Sequence, residues 1–373
     1  MPDSARRVAH VTTAHPHTDN RIFRKECAAL AEAGLDVHLI AVADGDALIH
    51  GVKLKALPRH KGRVARMVLG PWDAWRALRT MRPAMIHVHD PELIPLAVLW
   101  RALNRKQAVF DAHEDLPKQV HGKHYLPGPV RPIIAGAARQ LERLAGSRLD
   151  GVVVATPSIA QNFPHAKVTL VQNFPWLRNF PEPTPLTASD RAVVYIGGIS
   201  EGRGLPQMLD AVGRSDPASE LILAGPASVE TVERHLAPAR AHVDYRGVIG
   251  VEEIPALLAS ARVGLATLHP LPNYLESQST KIYEYMAAAR PFIASDFPSW
   301  MEQLEQFDCG IFVDPLDPAQ ISEAIEGLLG DDQRAREMGL RGRRALEEHF
   351  TFEHEGERLV EMTRLLLDAA SRR

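Results

Sequence analysis

Short apolar runs alternate along this chain with longer stretches in which apolar residues recur three and four positions apart. In the first half the strand-like runs are Val8–Thr12, Val37–Val42, Val52–Leu57, Met85–His89, Ala108–Asp111, Gly151–Ala155 and Val168–Val171. Helix-like stretches between them include Ile22–Ala33, Leu93–Leu103 and Pro132–Leu144. Residues 174–190 hold four prolines, which break any periodic element and read as a linker. A second series of strands follows at Ala192–Ile196, Leu221–Ala224, Val243–Arg246, Val263–Thr267, Phe292–Ser295 and Ile311–Val313. Its helices fall at 204–213, 252–260, 281–289, 318–329 and 333–348. Strands and helices in strict alternation predict an α/β fold with parallel sheets. The expected architecture is two doubly wound Rossmann-like domains, residues 1–173 and 191–350, facing a cleft. Residues 351–373 form a terminal helix with Leu359, Met362, Thr363 and Leu366 on one face. In such sheets ligands bind beyond the carboxyl ends of the strands.

The 373 residues are 45% hydrophobic and 24% charged, ordinary values for a water-exposed globular protein. Cys27 and Cys309 lie far apart and give neither a zinc spacing nor a disulfide framework, so a reducing cytoplasm is the expected setting. No signal-peptide core and no run of about 18 apolar residues is present. The net charge of −3 hides an asymmetry: up to residue 180 there are 25 Lys and Arg against 15 Asp and Glu, and afterwards 18 against 31. Many positives fall between Lys53 and Arg82, interleaved with Met67, Val68, Leu69, Trp72 and Trp75. An anionic membrane surface is a candidate partner for this stretch. The alternative is a solvated basic face with its tryptophans in the core. No nucleic-acid-binding motif accompanies the positives.

The densest chemistry lies in Asn273-Tyr-Leu-Glu276-Ser-Gln-Ser279-Thr280-Lys281-Ile-Tyr-Glu284-Tyr-Met-Ala. Ile282, Tyr285, Met286 and Ala289 repeat as one buried helix face, with Lys281 and Glu284 on another, three apart. Ser279 or Thr280 can cap the helix start, where backbone N–H groups and Lys281 suit a phosphate. Glu284 can accept from sugar or ribose hydroxyls, and Glu276 can reach toward what the phosphate carries. The bland alternative is an exposed Lys281–Glu284 pair and a solvated Glu276. A second glycine-rich strand-to-helix turn carries Gly197, Gly198 and Arg203, a backbone cradle with a cationic fork. It matches neither the dinucleotide fingerprint nor a Walker A loop. Tyr245-Arg246-Gly247-Val248-Ile249-Gly250 ends another strand; Arg246 and Val248 are placed to present backbone to a nucleobase, unless this is an ordinary turn. In the first domain two strands end in His87-Val88-His89-Asp90-Pro91-Glu92 and Asp111-Ala112-His113-Glu114-Asp115. A metal site there is considered and not assigned, because no helical His-Glu-x-x-His is present. Asp44-Gly-Asp46 reads as a loop after a strand.

On these residues the chain resembles the retaining glycosyltransferases of the GT-B fold, family 4. The resemblance is carried by Glu276 and Glu284, seven residues between them, followed by Tyr-Met-Ala and Pro291-Phe-Ile-Ala-Ser. It implies that Glu276 meets the transferred sugar, Glu284 the ribose, and Lys281 with a basic residue of the glycine loop the diphosphate. It implies further that His113 faces the reacting sugar, that the terminal helix returns to the first domain, and that no metal is obligatory. Val171-Gln-Asn173-Phe-Pro is similar to the family's entry into the linker. The usual Gly-Arg…Lys-Gly of the loop is altered here: Ile199 follows Gly198, and Arg203 stands at the later lysine. The first loop reads Ala14-His-Pro-His-Thr-Asp-Asn20-Arg21, with Asp19, Asn20 and Arg21 on the expected acceptor side. The expected activity moves a hexose-type sugar from a nucleoside-diphosphate sugar to a sugar or lipid-linked sugar, in cell-surface polysaccharide or glycolipid synthesis. The expected location is the cytoplasm or the inner face of its membrane. The rival readings are a nucleotide-sugar 2-epimerase of the same architecture and a non-catalytic binding protein.

Overall fold

A computed structural model of the protein describes residues 7–113, 115, 130–186, 191–215, 219–239 and 241–371. Glu114 and the linker positions 187–190 lie outside the described residues. The chain divides into two compact units, residues 1–173 with 352–373, and residues 174–351.

The first unit is built on an eight-stranded sheet of order β3-β4-β2-β1-β5-β6-β7-β8. The strands are β1 Arg7–Pro16, β2 Asp36–Val42, β3 Ala47–Ile49, β4 Val52–Leu57, β5 Met85–Val88, β6 Gln107–Ala112, β7 Gly151–Val154 and β8 Val168–Leu170. All pairings are parallel except β3 with β4. Residues of β5, β6 and β7 are buried on both faces, which is why these strands read as unbroken apolar runs. The sheet order reverses direction between β1 and β5. The main helices are α1 Ala28–Glu32, preceded by a π-helical turn Ile22–Cys27, α2 Arg63–Met81, α3 Ile94–Asn104 and α4 Arg131–Arg148.

The second unit carries a fully parallel six-stranded sheet of order β11-β10-β9-β12-β13-β14. Its strands are β9 Ala192–Ile196, β10 Glu220–Ala224, β11 Val243–Tyr245, β12 Val263–Ala266, β13 Phe292–Ser295 and β14 Gly310–Val313. The helices used below are α5 Leu205–Arg214, α6 Ile254–Ala259, α7 Thr280–Ala287, α8 Pro298–Leu304, α9 Pro318–Gly330 and α10 Asp332–His349. The order reverses between β9 and β12, and at such a switch point adjacent loops diverge and leave a crevice at the strand ends.

Three expectations change. The proline-rich stretch is not a free linker: Phe174, Trp176 and Phe180 are buried in the second unit, with Phe174 packed on Tyr283 and Phe350. Residues 63–81 form a long helix although Gly70-Pro71 stands in its middle. On that helix Trp75 packs edge-on against Trp100, but Trp72 is 60% exposed, so the tryptophans are not both in the core. The last helix, α11 Phe352–Ser371, belongs to the first unit. Leu359 and Thr363 are buried there, Glu355 accepts from the Gln172 N–H at 2.9 Å, and Arg364 donates to the Ala33 carbonyl. Among the described residues no helix is long and apolar enough to cross a membrane.

Candidate active site

The loop after β9 begins the candidate site of the second unit. Gly197 adopts φ +124° and donates its N–H to the Ala224 carbonyl, while Ile199 N–H bonds to the Pro226 carbonyl. The Tyr195 hydroxyl donates to the Gly198 carbonyl at 2.9 Å and fixes the turn from below. The lack of side chains then lets two cations close in. A Cβ on Gly198 would stand 3.2 Å from the Arg203 guanidinium, and one on Gly197 would stand 3.5 Å from Lys281 Cε and 3.7 Å from its Nζ. Lys281 also lies 5.0 Å over the Tyr195 ring and Arg203 5.9 Å over Tyr274.

Lys281 is therefore not the exposed partner of a surface pair: it is buried at 8% exposure on the first turn of α7. Burial, with Arg203 beside it, brings its pKa down to about 8 against the opposing pull of Glu284. Arg203 stands close enough to lower the pKa of Lys281, with Glu284 pulling the other way. Two cations held together over a glycine turn repel one another until an anion arrives, and a diphosphate is the anion that spans both. An anion raises the pKa of Lys281, so nucleoside-diphosphate binding should take up a proton near pH 8.5 and weaken as pH rises above about 8. Titrations in buffers of different ionisation enthalpy read that uptake directly. A Lys281→Arg variant should lose it, and equal heats in all buffers for the native chain would contradict the assignment.

Ser279 occupies the N-cap position of α7, but its side chain makes no capping bond and its buried Oγ has no partner. The expected cap is thus absent from Ser279, and Thr280 is the first helical residue. Both leave polar groups at the positive end of α7, beside Lys281. Glu284 is half-buried one turn on, and Glu276 is exposed in the loop before the helix. That loop is held by two residues the sequence reading missed. Ser299 Oγ donates to the Leu275 carbonyl at 2.6 Å, and the Trp300 indole N–H donates to the Ser277 carbonyl at 2.6 Å. The backbone is therefore pinned on each side of Glu276 by α8. Arg246 is paired with Asp244 at 2.8 Å, and Val248 is 75% exposed at the end of β11. The Gly225 N–H donates to the Gly247 carbonyl at 2.6 Å, which ties this turn to the loop after β10.

In the first unit the strand ends converge on histidines and acids. His113 follows β6 with its Nδ1 3.9 Å from Asp111 and its ring edge-on to His15 at 5.0 Å. Burial holds its imidazole below the ordinary value, with Asp111 pulling the other way, so it is neutral at neutral pH. Asp90 is a loop pin: it accepts from the Thr12 and Thr13 hydroxyls and from the N–H groups of Thr13 and Ala14. The acceptor-side expectation fails for Arg21. Its guanidinium is 5% exposed, grips Asp111 at 2.9 and 3.0 Å and donates to the Val171 carbonyl. Asp19 accepts from the N–H groups of Arg21 and Ile22 and caps the π-helical turn, which leaves Asn20 half-exposed beside it.

Comparison with known proteins finds family matches in both units of the chain. Residues 20–174 match the family described as Glycosyltransferase Family 4, and residues 190–331 match Glycosyl transferases group 1. The chain is similar to an alpha-maltose-1-phosphate synthase of Mycolicibacterium smegmatis, 24% identical over 66% of this chain and 68% of the relative. It is also similar to a phosphatidyl-myo-inositol mannosyltransferase of the same organism, 25% identical over 82% of this chain and 79% of the relative. Its fold matches Anabaena Alr3699/HepE, solved with UDP-glucose, at a TM-score of 0.73 and 13% identity, covering 95% of this chain and 98% of that one. The protein is a family 4-like glycosyltransferase of the GT-B fold.

Proposed function

We propose that the protein is a retaining glycosyltransferase that moves a hexose-type sugar from a nucleoside-diphosphate sugar to a hydroxyl of a sugar or lipid-linked sugar. The observation that carries this reading is the convergence of Arg203 and Lys281 on the Gly197–Gly198 turn. In the transfer, the bond from the anomeric carbon to the diphosphate breaks and one to the acceptor oxygen forms on the same face. The acceptor proton passes to the departing phosphate. Negative charge grows on the diphosphate as that bond breaks, and fixed cations and helix-end amides stabilise it most at that moment. Arg203, Lys281 and the amides at the start of α7 supply this charge, so no divalent ion is required for the leaving group. Glu284 receives the ribose, Glu276 orients the sugar, and His113 meets the sugar as a neutral imidazole. A 2-epimerase would turn over donor without acceptor. Product analysis by NMR tests the reading: an α-linked sugar from an α-linked donor, formed only with acceptor, supports it, and epimerised donor or an inverted linkage overturns it.

The lipid-linked acceptor has its own support in the first unit. Helix α2 exposes Val64, Met67, Val68, Leu69 and Trp72 amid Lys61, Arg63, Arg66, Arg76 and Arg79. Apolar side chains within a basic face suit the boundary of an anionic membrane. Cosedimentation with vesicles rich in anionic lipid should fall about tenfold in Trp72→Glu, since losing Trp burial costs about 1.5–3 kcal/mol. Equal sedimentation of variant and native chain would remove this face from the account.

A further inference from the structure

The transfer chemistry leaves unused a group of fully buried side chains beneath the strand ends of the first unit. His10 on β1 and His87 on β5 stand opposite one another in the sheet register, with ring centroids 4.6 Å apart. Glu26, on the π-helical turn, reaches the same spot. All three have zero exposure. One ligating atom from each lies within 4.8 Å of those of the other two. We propose that His10, Glu26 and His87 form a buried binding site for one divalent transition-metal ion, with zinc the ion their chemistry suits best.

Three observations carry this. The first is unmet bonding capacity. His10 Nε2, both ring nitrogens of His87 and Glu26 Oε2 are buried without a hydrogen bond, while Glu26 Oε1 meets the Arg21 guanidinium at 3.0 Å. Buried polar groups are costly unless paired, and one such atom from each residue lies where a single shared partner can reach all three. The second is tautomer. Asp111, gripped by Arg21 through both oxygens, accepts from His89 Nδ1 at 3.1 Å. In that tautomer the His89 Nε2 accepts from His10 Nδ1 at 2.9 Å. That leaves the lone pair of His10 on Nε2, the nitrogen with no partner. A carboxylate chain that fixes the tautomer of a histidine ligand is the usual outer shell of a metal site. The third is charge. A single guanidinium, that of Arg21, faces both buried carboxylates, Asp111 and Glu26, the latter 3.0 Å from its Nε. A divalent cation adds the positive charge that one guanidinium shared between two buried carboxylates leaves short.

The adjacent group of His89, Asp111 and His113 lacks these features, because both nitrogens of His89 and both oxygens of Asp111 are already engaged. Two imidazoles and a carboxylate are a common donor set for zinc. With every ligand sealed from solvent, no substrate reaches the ion. Its role is to lock β1, β5 and the π-helical turn together, and with them the Arg21–Asp111 pair beneath His113. The site is separate from the Arg203–Lys281 pair, and the diphosphate does not use it.

Because the ligands are sealed, the ion must enter as the chain folds. The full chain is unfolded in denaturant with EDTA, then refolded with EDTA, with zinc or with cobalt, and metal content is measured after gel filtration. The expected result is about one ion per chain after refolding with metal, retained in EDTA by the native state, and visible absorption bands from the cobalt form. Refolding with zinc should also raise the thermal midpoint above that of the EDTA-refolded chain. His10→Gln, Glu26→Gln and His87→Gln should each lower metal content at least tenfold, while His165→Gln, on an exposed turn, should not. A folded native chain that holds no ion after refolding in zinc or cobalt overturns the proposal. So does a folded His87→Gln chain that keeps its ion. Should the variants not fold, the cobalt bands of the native chain decide alone, and their absence is equally fatal.

Discussion

Glu276→Gln is expected to lower sugar transfer about 100- to 1,000-fold while leaving nucleoside-diphosphate affinity within a few-fold of the native value. The argument is one of place. Glu276 stands in the loop before α7, ahead of the Arg203–Lys281 pair that we propose receives the diphosphate, and so toward the sugar end of the proposed donor. The loop is no loose surface segment, since Ser299 and Trp300 pin the carbonyls of the residues on either side. Glutamine keeps the size and the hydrogen-bonding reach but removes the charge. An interaction worth most as positive charge develops on the sugar is then lost, and one made to the nucleotide is not. Steady-state transfer assays and a parallel binding titration separate the two. A variant with near-native turnover would remove Glu276 from the chemistry.

Gly225→Ala is expected to be strongly damaging beside the candidate site. Gly225 follows β10 at φ +145°, a region that L side chains rarely adopt. A Cβ there would stand 2.0 Å from the Gly197 carbonyl oxygen. Both loops are tied down: Gly197 N–H reaches the Ala224 carbonyl, and β11 with its following turn holds Gly225, whose N–H reaches the Gly247 carbonyl and whose carbonyl accepts from the Tyr245 hydroxyl. Neither backbone can retreat without breaking these. Strain and overpacking together put the cost at about 3–4 kcal/mol, or roughly a 10 °C fall in the thermal midpoint. Whatever relaxation occurs moves Gly197 away from Lys281, so donor affinity falls as well. A melt within about 2 °C of the native chain, on the same scaling, would show that the loops are looser than this packing implies.

The alternation of strands and helices was legible because both sheets are largely parallel and their central strands are buried on both faces. β3 was not, being three residues long and mostly exposed. Helix α2 was hidden by Gly70-Pro71, which locally reads as a break; Gly70 in fact lets the helix approach Thr13, where a Cβ would stand 2.9 Å from the threonine methyl. The site was legible where its residues are neighbours in sequence, as Glu276, Lys281 and Glu284 are. It was not legible where partners are distant. Trp300 reaches back 23 residues, and Arg21 meets Asp111 across 90, so a polar loop motif gave no sign that its arginine points inward. The burial of Lys281 had the same cause, since its helix period marks a polar face that the Gly197–Gly198 turn covers.

The central claim is that Arg203 and Lys281 receive the diphosphate of a nucleotide-sugar. Isothermal titration of UDP and GDP into the native chain and into Lys281→Ala tests it most directly. Removing one charge-assisted phosphate contact costs about 1.5–3 kcal/mol, so one nucleotide should bind the native chain and bind the variant about 10- to 100-fold more weakly. Equal affinity for that nucleotide in both proteins would contradict the account.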